Sequence, residues 1–114
     1  GDQVGHSGDF DAAVEAVEAI DRALGRIVEE LATAGGEMLL IADHGNCEQM
    51  VAADGGPDTA HTIHPVPCIY YGRPGHGVAN GGLADVAPTV LQLMGLPQPE
   101  AMQGKSILLK PAQQ

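Results

Sequence analysis

The sequence predicts an α/β domain in which a mostly parallel sheet is flanked by helices, and three observations favour this class. Apolar residues recur at intervals of three and four from Phe10 to about Ala34, which is the spacing of an amphipathic helix. The run from Glu37 to Ala42 is short and largely apolar, as in a strand that is covered on both faces. Acidic and histidine side chains follow this run directly, at the strand end where α/β sheets collect their ligands.

Composition limits the classes of function. The 114 residues, 44% of them apolar, suffice for one small domain with its own core. A net charge of -10 argues against nucleic acid and against an anionic membrane as partners. No run reaches the roughly 18 apolar residues of a membrane span. Cys47 and Cys68 are too few for a disulfide framework, which favours a cytoplasmic protein with reduced thiols.

The first helix and the strand after it are predicted to belong to one βαβ unit. Asp9 is the expected N-cap of the helix, Gly35 and Gly36 end it, and its apolar face is expected to pack on a sheet. The first strand of the unit would then end just before Asp2. Because the chain begins at Gly1 rather than Met, with a ligand-like motif already under way, we expect it to be a piece of a longer protein.

The second half of the chain is predicted to contain shorter elements. It begins irregularly, with a turn at residues 54–57, and then enters a strand at Val66 to Tyr71. A second helix is expected from Asp85 to Met94, with Asp85 as N-cap and Gly95 as the stop. The tail from Gly104 to Leu109 is expected to add a short edge strand or to pack across the domain.

The candidate metal ligands are two carboxylates and three imidazoles spread along the chain: Asp2, His6, Asp43, His44 and His61. Such a mixed nitrogen and oxygen set suits Mn²⁺, Zn²⁺, Co²⁺ or Fe²⁺ better than Ca²⁺. Two such ions close together are a common device for stabilising both oxygens in phosphoryl transfer. The pattern therefore indicates a metal centre.

Neighbouring polar residues have plainer interpretations. Asn46 and Glu48 are candidates for orienting His44. Ser7 is expected to be a turn or cap residue, and Cys47 a buried bystander. His64 and His76 are expected in solvent-facing loops.

Four segments of this sequence carry a family resemblance: Asp2-Gln3-Val4-Gly5-His6-Ser7-Gly8, Ala42-Asp43-His44-Gly45-Asn46, Ala60-His61-Thr62 and Leu83-Ala84-Asp85-Val86-Ala87-Pro88-Thr89. In order and spacing they resemble the C-terminal part of the phosphatase-like domain of cofactor-independent (2,3-bisphosphoglycerate-independent) phosphoglycerate mutase. That family lies in the alkaline phosphatase superfamily. The resemblance covers essentially the whole chain and implies an alkaline-phosphatase-like sheet.

The resemblance also implies a division of the ligands between two divalent ions, with Mn²⁺ expected. Asp2, His6 and His61 would hold the first ion, while Asp43 and His44 would hold the second. An Asp and the nucleophilic Ser from an earlier part of the full protein would complete the second site. No catalytic nucleophile is therefore expected within this chain, and a separate transferase domain would bind the substrate through Arg and Lys side chains.

The implied activity is the interconversion of 3-phosphoglycerate and 2-phosphoglycerate through a phosphoserine, in glycolysis and gluconeogenesis. The resemblance implies a cytoplasmic, monomeric full-length enzyme with a small-molecule substrate, and this chain alone is expected to be inactive. Two alternatives remain open at this point. One is another metal-dependent phosphatase, sulfatase or phosphopentomutase of the superfamily, and the other is a non-catalytic metal-binding module.

Overall fold

The computed structural model describes residues 4, 6, 8–58, 60–61 and 63–112. These residues fall into two compact units, the first comprising those up to Ala34 and those from Ala42 to Val66, and the second those from Gly35 to Ile41 and those from Pro67 onward. The elements in chain order are helix α1 (Phe10–Ala34), strands β1 (Met38–Ile41), β2 (Cys68–Tyr71) and β3 (Gly77–Val78), a 3₁₀ turn (Leu83–Asp85), helix α2 (Val86–Met94) and strand β4 (Leu108–Leu109).

Helix α1 confirms the prediction made from the periodicity of the sequence. The amide of Ala12 donates to Asp9 Oδ1 at 3.0 Å, so Asp9 is the N-cap that was expected. The helix ends where Gly35 takes a positive φ of 70°, a left-handed conformation that costs glycine little. Both ends of α1 are therefore set by residues within one turn of them.

The apolar face of α1 is more exposed than predicted. Phe10 is 65% exposed, Val17 52% and Ile27 49%, whereas Ala13 is buried. The first half of the helix and the turn carrying Cys47 and Met50 enclose an apolar groove of about 210 Å³. None of the helices in the described part of the chain has both the length and the apolar character needed to span a bilayer.

Strand β1 differs from the prediction in its pairing and its burial. It was expected in a parallel sheet with both faces covered, but it pairs antiparallel with β2, with Met38 opposite Tyr71 and Ile41 opposite Cys68. Its residues are half-buried or exposed. The short apolar run correctly indicated a strand, but strand direction depends on partners that the run itself cannot specify.

In the second unit Glu37, Tyr70 and Arg73 form a hydrogen-bonded cluster, here called the polar clamp, beside the β1–β2 ribbon. Arg73 donates to both carboxylate oxygens of Glu37, from Nε at 2.8 Å and from Nη2 at 3.4 Å. The Tyr70 hydroxyl also donates to Glu37. These hydrogen bonds, from Arg73 first and then Tyr70, hold the pKa of the Glu37 carboxyl below its ordinary value. The clamp thus ties the chain before β1 to the chain after β2.

Helix α2 begins at Val86, and Asp85 precedes it as predicted, but the Asp85 carboxylate does not cap the helix. Its two oxygens instead accept the amides of Gly82 and Lys105, both at 2.9 Å. Fully buried Thr89 donates to the Asp85 carbonyl at 2.7 Å and accepts the amide of Ile107 at 3.0 Å. Tertiary contacts have therefore redirected the predicted cap to the C-terminal tail.

That tail forms β4 as predicted, although the strand is only two residues long. It pairs antiparallel with β3, with Gly77 opposite Leu109 and Val78 opposite Leu108. Helix α2 ends at Gly95, which has a positive φ of 70° and whose amide contacts the last carbonyls of the helix. The predicted stop is confirmed.

Candidate metal centre

Three of the candidate ligands meet in the first unit although they are far apart in sequence. Nε2 of His61 lies 3.0 Å from Nε2 of His6. The His61 ring also stacks on the ring of His44, with centroids 3.6 Å apart and planes inclined by 17°. His61 thus brings together an imidazole from before α1 and an imidazole from after β1.

The His44 ring is held by the backbone of the residue that follows it. Its Nδ1 lies 3.1 Å from the carbonyl oxygen of Gly45. Because a carbonyl can only accept, Nδ1 carries the proton in this hydrogen bond, and Nε2 keeps its lone pair. That nitrogen lies 3.6 Å from Asp43 Oδ1, and the Asp43 side chain is 83% exposed. The Asp43-His44 pair therefore presents two adjacent electron-pair donors.

The donor set fits a first-row divalent cation. Two nitrogens bound to adjacent positions of an octahedral ion at about 2.1 Å would lie about 3.0 Å apart. The separation of His6 Nε2 from His61 Nε2 matches this value. In the described part of the chain, however, no group of three or more His, Cys, Asp or Glu side chains is arranged to hold a metal ion. Asp2, the predicted third ligand of the first ion, lies outside the described residues.

The two expected sub-sites are in direct contact. His61 was assigned to the first ion and His44 to the second, yet their rings stack on each other. The ring of His6 lies further off, with its centroid 4.8 Å from that of His61. A change at His61 is therefore expected to affect both sub-sites.

The turn after His44 connects this histidine to the segment that carries His61. The amide of Asn46 donates to Glu48 Oε2 at 2.8 Å, which closes the turn. The side-chain amide of Asn46 reaches the carbonyl of Ala60 at 3.5 Å, and Asn46 is buried. Cys47 Sγ lies 3.7 Å from Asn46 Oδ1 and lines the apolar groove. Asn46 thus links both sides of the centre.

Sequence reasoning assigned no role to two polar residues near the centre, Gln49 and Asp58, whose side chains hydrogen-bond at 2.8 Å. They face each other because the chain reverses at the predicted turn. Val51 pairs antiparallel with Pro57, and the amide of Asp58 donates to the carbonyl of Met50. Extending the predicted turn at residues 54–57 symmetrically along both arms would place Asp58 opposite Ala53 rather than Gln49, so the sequence carried no signal for this pair.

The other candidate residues lie apart from the histidine cluster or have different partners. His64 is exposed, as predicted, and its Nε2 lies 3.0 Å from Gln49 Oε1. His76 belongs to the second unit, where its Nδ1 lies 3.3 Å from the Pro74 carbonyl. Arg73 also belongs to the second unit, where its guanidinium is paired with Glu37. Ser7 lies outside the described residues.

Comparison with known families agrees with a metal centre. The profile of the metalloenzyme superfamily matches residues 1–98, which is most of the chain. The chain belongs to the metalloenzyme superfamily. Members of this superfamily are consistent with the α/β class predicted from the sequence, and the superfamily implies the use of divalent metal.

Individual relatives in the superfamily are highly similar to this chain. It is 59% identical over 109 residues to the 2,3-bisphosphoglycerate-independent phosphoglycerate mutase of Agrobacterium fabrum, an alignment that covers 94% of the chain and 22% of the relative. Identity to the corresponding mutase of Pseudomonas fluorescens is 58% over 114 residues, covering 98% and 22%. For mutase 2 of Methanosarcina barkeri it is 55% over 111 residues, covering 96% and 21%. The chain spans about a fifth of the length of these relatives.

Proposed function

We propose that this chain is the metal-binding part of a 2,3-bisphosphoglycerate-independent phosphoglycerate mutase, which interconverts 3-phosphoglycerate and 2-phosphoglycerate. The observation that carries the proposal is the meeting of His6, His44 and His61 in a chain so similar to such mutases. The convergence of these three imidazoles supports the resemblance at the level of individual side chains.

The proposed roles follow the positions of the residues. His6 and His61, with Asp2, hold the first ion, and Asp43 and His44 contribute to the second. When bound, the two ions, with Mn²⁺ proposed, supply positive charge that stabilises the transferring phosphoryl group and favours ionisation of the attacking hydroxyl. The proton on His44 Nδ1 is held by the Gly45 carbonyl, so that Nε2 is directed toward the side of Asp43.

The chain leaves the recognition of an anionic substrate to other parts of the protein. The net charge is -10, and only five Lys and Arg residues are present. Of these, Arg73 is paired with Glu37. We therefore propose that a transferase domain elsewhere in the protein supplies the cations that bind phosphoglycerate, and that the nucleophilic Ser comes from an earlier part of the full protein.

The remaining features of the predicted enzyme belong to the same proposal. Strands outside this chain would pair in parallel with β1, and helices packed on the enlarged sheet would cover its half-buried residues. The enzyme would be a cytoplasmic monomer of glycolysis and gluconeogenesis. The two-stranded ribbon and the exposed face of α1 support a larger fold of this kind.

The proposal is tested with the full-length protein that contains this sequence. Purified protein loaded with Mn²⁺ should convert 3-phosphoglycerate to 2-phosphoglycerate without added bisphosphoglycerate, and chelation should abolish turnover until Mn²⁺ is restored. Both products are followed by ³¹P NMR, which also reports inorganic phosphate. Release of phosphate without isomerisation would reject the mutase in favour of a phosphatase of the same superfamily.

A further inference from the structure

Ala60, the residue directly before His61, is held by the side chains of Asp58 and Asn46. The amide of Ala60 donates to Asp58 Oδ1 at 3.1 Å, and the Ala60 carbonyl lies 3.5 Å from the side-chain amide of Asn46. The backbone N–H and C=O groups of Ala60 are thus both hydrogen-bonded to side chains. The backbone directly before His61 is therefore fixed by side chains rather than by a helix or a strand.

Gln49 links Asp58, which precedes His61 in the sequence, to His64, which follows it. Its Nε2 donates to Asp58 Oδ2 at 2.8 Å, and its Oε1 lies 3.0 Å from His64 Nε2. One side chain therefore contacts a residue three positions before His61 and a residue three positions after it. Gln49 itself lies five residues after His44, in the same turn as Asn46.

The directions of these hydrogen bonds are coupled. An ionised carboxylate only accepts, so the NH₂ group of Gln49 must face Asp58. Its oxygen then faces His64, and the His64 nitrogen must donate. Asp58, Gln49 and His64 thus form a chain with a single consistent set of donors and acceptors, and a reversed amide at position 49 would place two acceptor oxygens opposite each other at Asp58.

We propose that Gln49 is a positioning residue for the metal centre: it bridges Asp58 and His64 and so places the His61 ring against His44 and His6. The inference rests on the proposed function, because it assigns Gln49 a role in metal binding. Gln49 does not need to touch the ion. Its effect passes through the backbone that carries His61, in the way that outer partners of metal ligands orient the ligands themselves.

The chemistry of the bridge provides a rescue experiment. Gln49→Glu keeps the shape but puts two carboxylates face to face, so the bond to Asp58 is lost. Adding Asp58→Asn restores it, because the new amide donates to the new carboxylate while its oxygen still accepts the Ala60 amide. The double variant therefore re-forms all three hydrogen bonds, with the negative charge moved from position 58 to position 49.

A matched control lies in the second unit. Gln98 Nε2 donates to the carbonyls of Met102 at 2.7 Å and Gly104 at 2.8 Å. The candidate ligands among the described residues all belong to the first unit, so this residue does not contact them through its own unit. Gln98→Glu makes the same chemical change, adds the same charge and also breaks two hydrogen bonds. It controls for a general loss of stability and for the added negative charge.

Calorimetric titration of the full-length protein with Mn²⁺ tests the proposal. Gln49→Glu is expected to weaken binding by about tenfold or more, the usual effect of losing an outer partner. The Gln49→Glu/Asp58→Asn variant should return to near wild-type affinity, and Gln98→Glu should bind normally. If Gln49→Glu does not fold, Gln49→Leu removes the bridge without a like-charge pair and should weaken binding similarly. Wild-type affinity in a folded Gln49 variant, or no recovery in the double variant, overturns the proposal.

A metal-free measurement separates this inference from the proposed function. In the apo protein, NMR should show cross-relaxation between the His44 and His61 rings, and Gln49→Glu should remove it while the double variant restores it. Ring contacts that survive Gln49→Glu overturn the positioning role even if the enzyme is a mutase. Ring contacts that follow the bridge, in a protein without mutase activity, would instead reject the proposed function while leaving the positioning of His61 established.

Discussion

At the scale of single residues, His61 has a different place in the centre from Asp43. The His61 ring contacts both His6 and His44. The Asp43 side chain is 83% exposed and approaches His44 at 3.6 Å. His61 therefore holds two elements of the centre together, whereas Asp43 lies at its edge.

This difference predicts unequal effects of substitution on metal binding. His61→Ala should lower Mn²⁺ affinity at the tighter site of the full-length protein by more than about 100-fold, because even outer partners of ligands cost 10- to 100-fold. Asp43→Ala should weaken that site far less. Calorimetric titration of both variants measures this, and equal losses would contradict the assignment of the two residues to separate ions.

Asp85 illustrates how a carboxylate can make folding depend on pH. Its hydrogen bonds from the amides of Gly82 and, secondarily, Lys105 hold the pKa of the carboxyl below its ordinary value of 3.8. A folded pKa below the unfolded one adds stability above the unfolded value. That contribution is lost as the pH falls through the folded pKa.

Asp85→Asn should therefore destabilise the protein at neutral pH, with a difference from wild type that shrinks as the pH falls below about 4. Urea unfolding of metal-free protein at several pH values measures this difference. Glu100→Gln, a change of the same charge on an exposed carboxylate of the same unit, controls for net charge. A gap between wild type and Asp85→Asn that stays constant into acid would contradict the role of these hydrogen bonds.

At the scale of elements, α1 is specified almost entirely by local signals, yet one residue inside it, Gly25, has a low helix propensity. Gly25 lies in the middle of the helix, and a Cβ there would meet no heavy atom within 4 Å. Glycine in a helix interior is less favourable than alanine because it has more conformational freedom to lose. Gly25→Ala should therefore stabilise the protein by about 0.5–1 kcal/mol, measured by thermal or urea unfolding.

The same substitution should have the opposite sign at Gly104. A Cβ at this position would overlap the carbonyl oxygen of Ala84, a backbone atom that cannot rotate away. Gly104→Ala should cost at least about 1 kcal/mol, in the range of overpacked sites. Equal effects at Gly25 and Gly104 would show that the tail does not pack against the 3₁₀ turn.

At the scale of the whole molecule, charge and exposed apolar surface both indicate that this chain acts within a larger protein. The net charge of -10 is unsuited to holding a phosphorylated acid without added cations. Phe10, Val17 and Ile27 leave an apolar stripe along α1 that is about half exposed. Both features are expected if other segments of the protein supply positive charge and pack against the apolar stripe of α1.

The 114-residue chain by itself should accordingly show no mutase turnover with 3-phosphoglycerate and Mn²⁺. Activity is expected only when the remainder of the protein is present, on the same polypeptide or added in trans. A coupled assay of 2-phosphoglycerate formation measures this, with the intact protein as the positive control. Turnover by the isolated chain with metal alone would contradict the proposal that the nucleophile lies elsewhere.

Features that depend on close neighbours could be predicted from the amino-acid sequence. Helix α1 and its ends at Asp9 and Gly35 were predictable because a cap, a stop and a 3.6-residue period all act within one or two turns. Gly95 was predictable as a helix stop for the same reason. The histidines were candidate ligands from their chemistry alone, since imidazole beside carboxylate is a donor set wherever it is brought together.

The pairing of distant groups could not be predicted and is seen only in the folded chain. The tertiary structure turned β2 antiparallel to β1, diverted the Asp85 carboxylate from α2 to the tail, and stacked His61 on His44. It also placed Gln49 between Asp58 and His64. Each of these contacts joins residues that the path of the chain brings together. The free energy of a hydrogen bond or ring contact does not depend on how far apart its partners lie in the sequence, so local sequence patterns cannot identify them. Local patterns therefore specified the helices and the chemistry, while chain reversal selected the geometry of the centre.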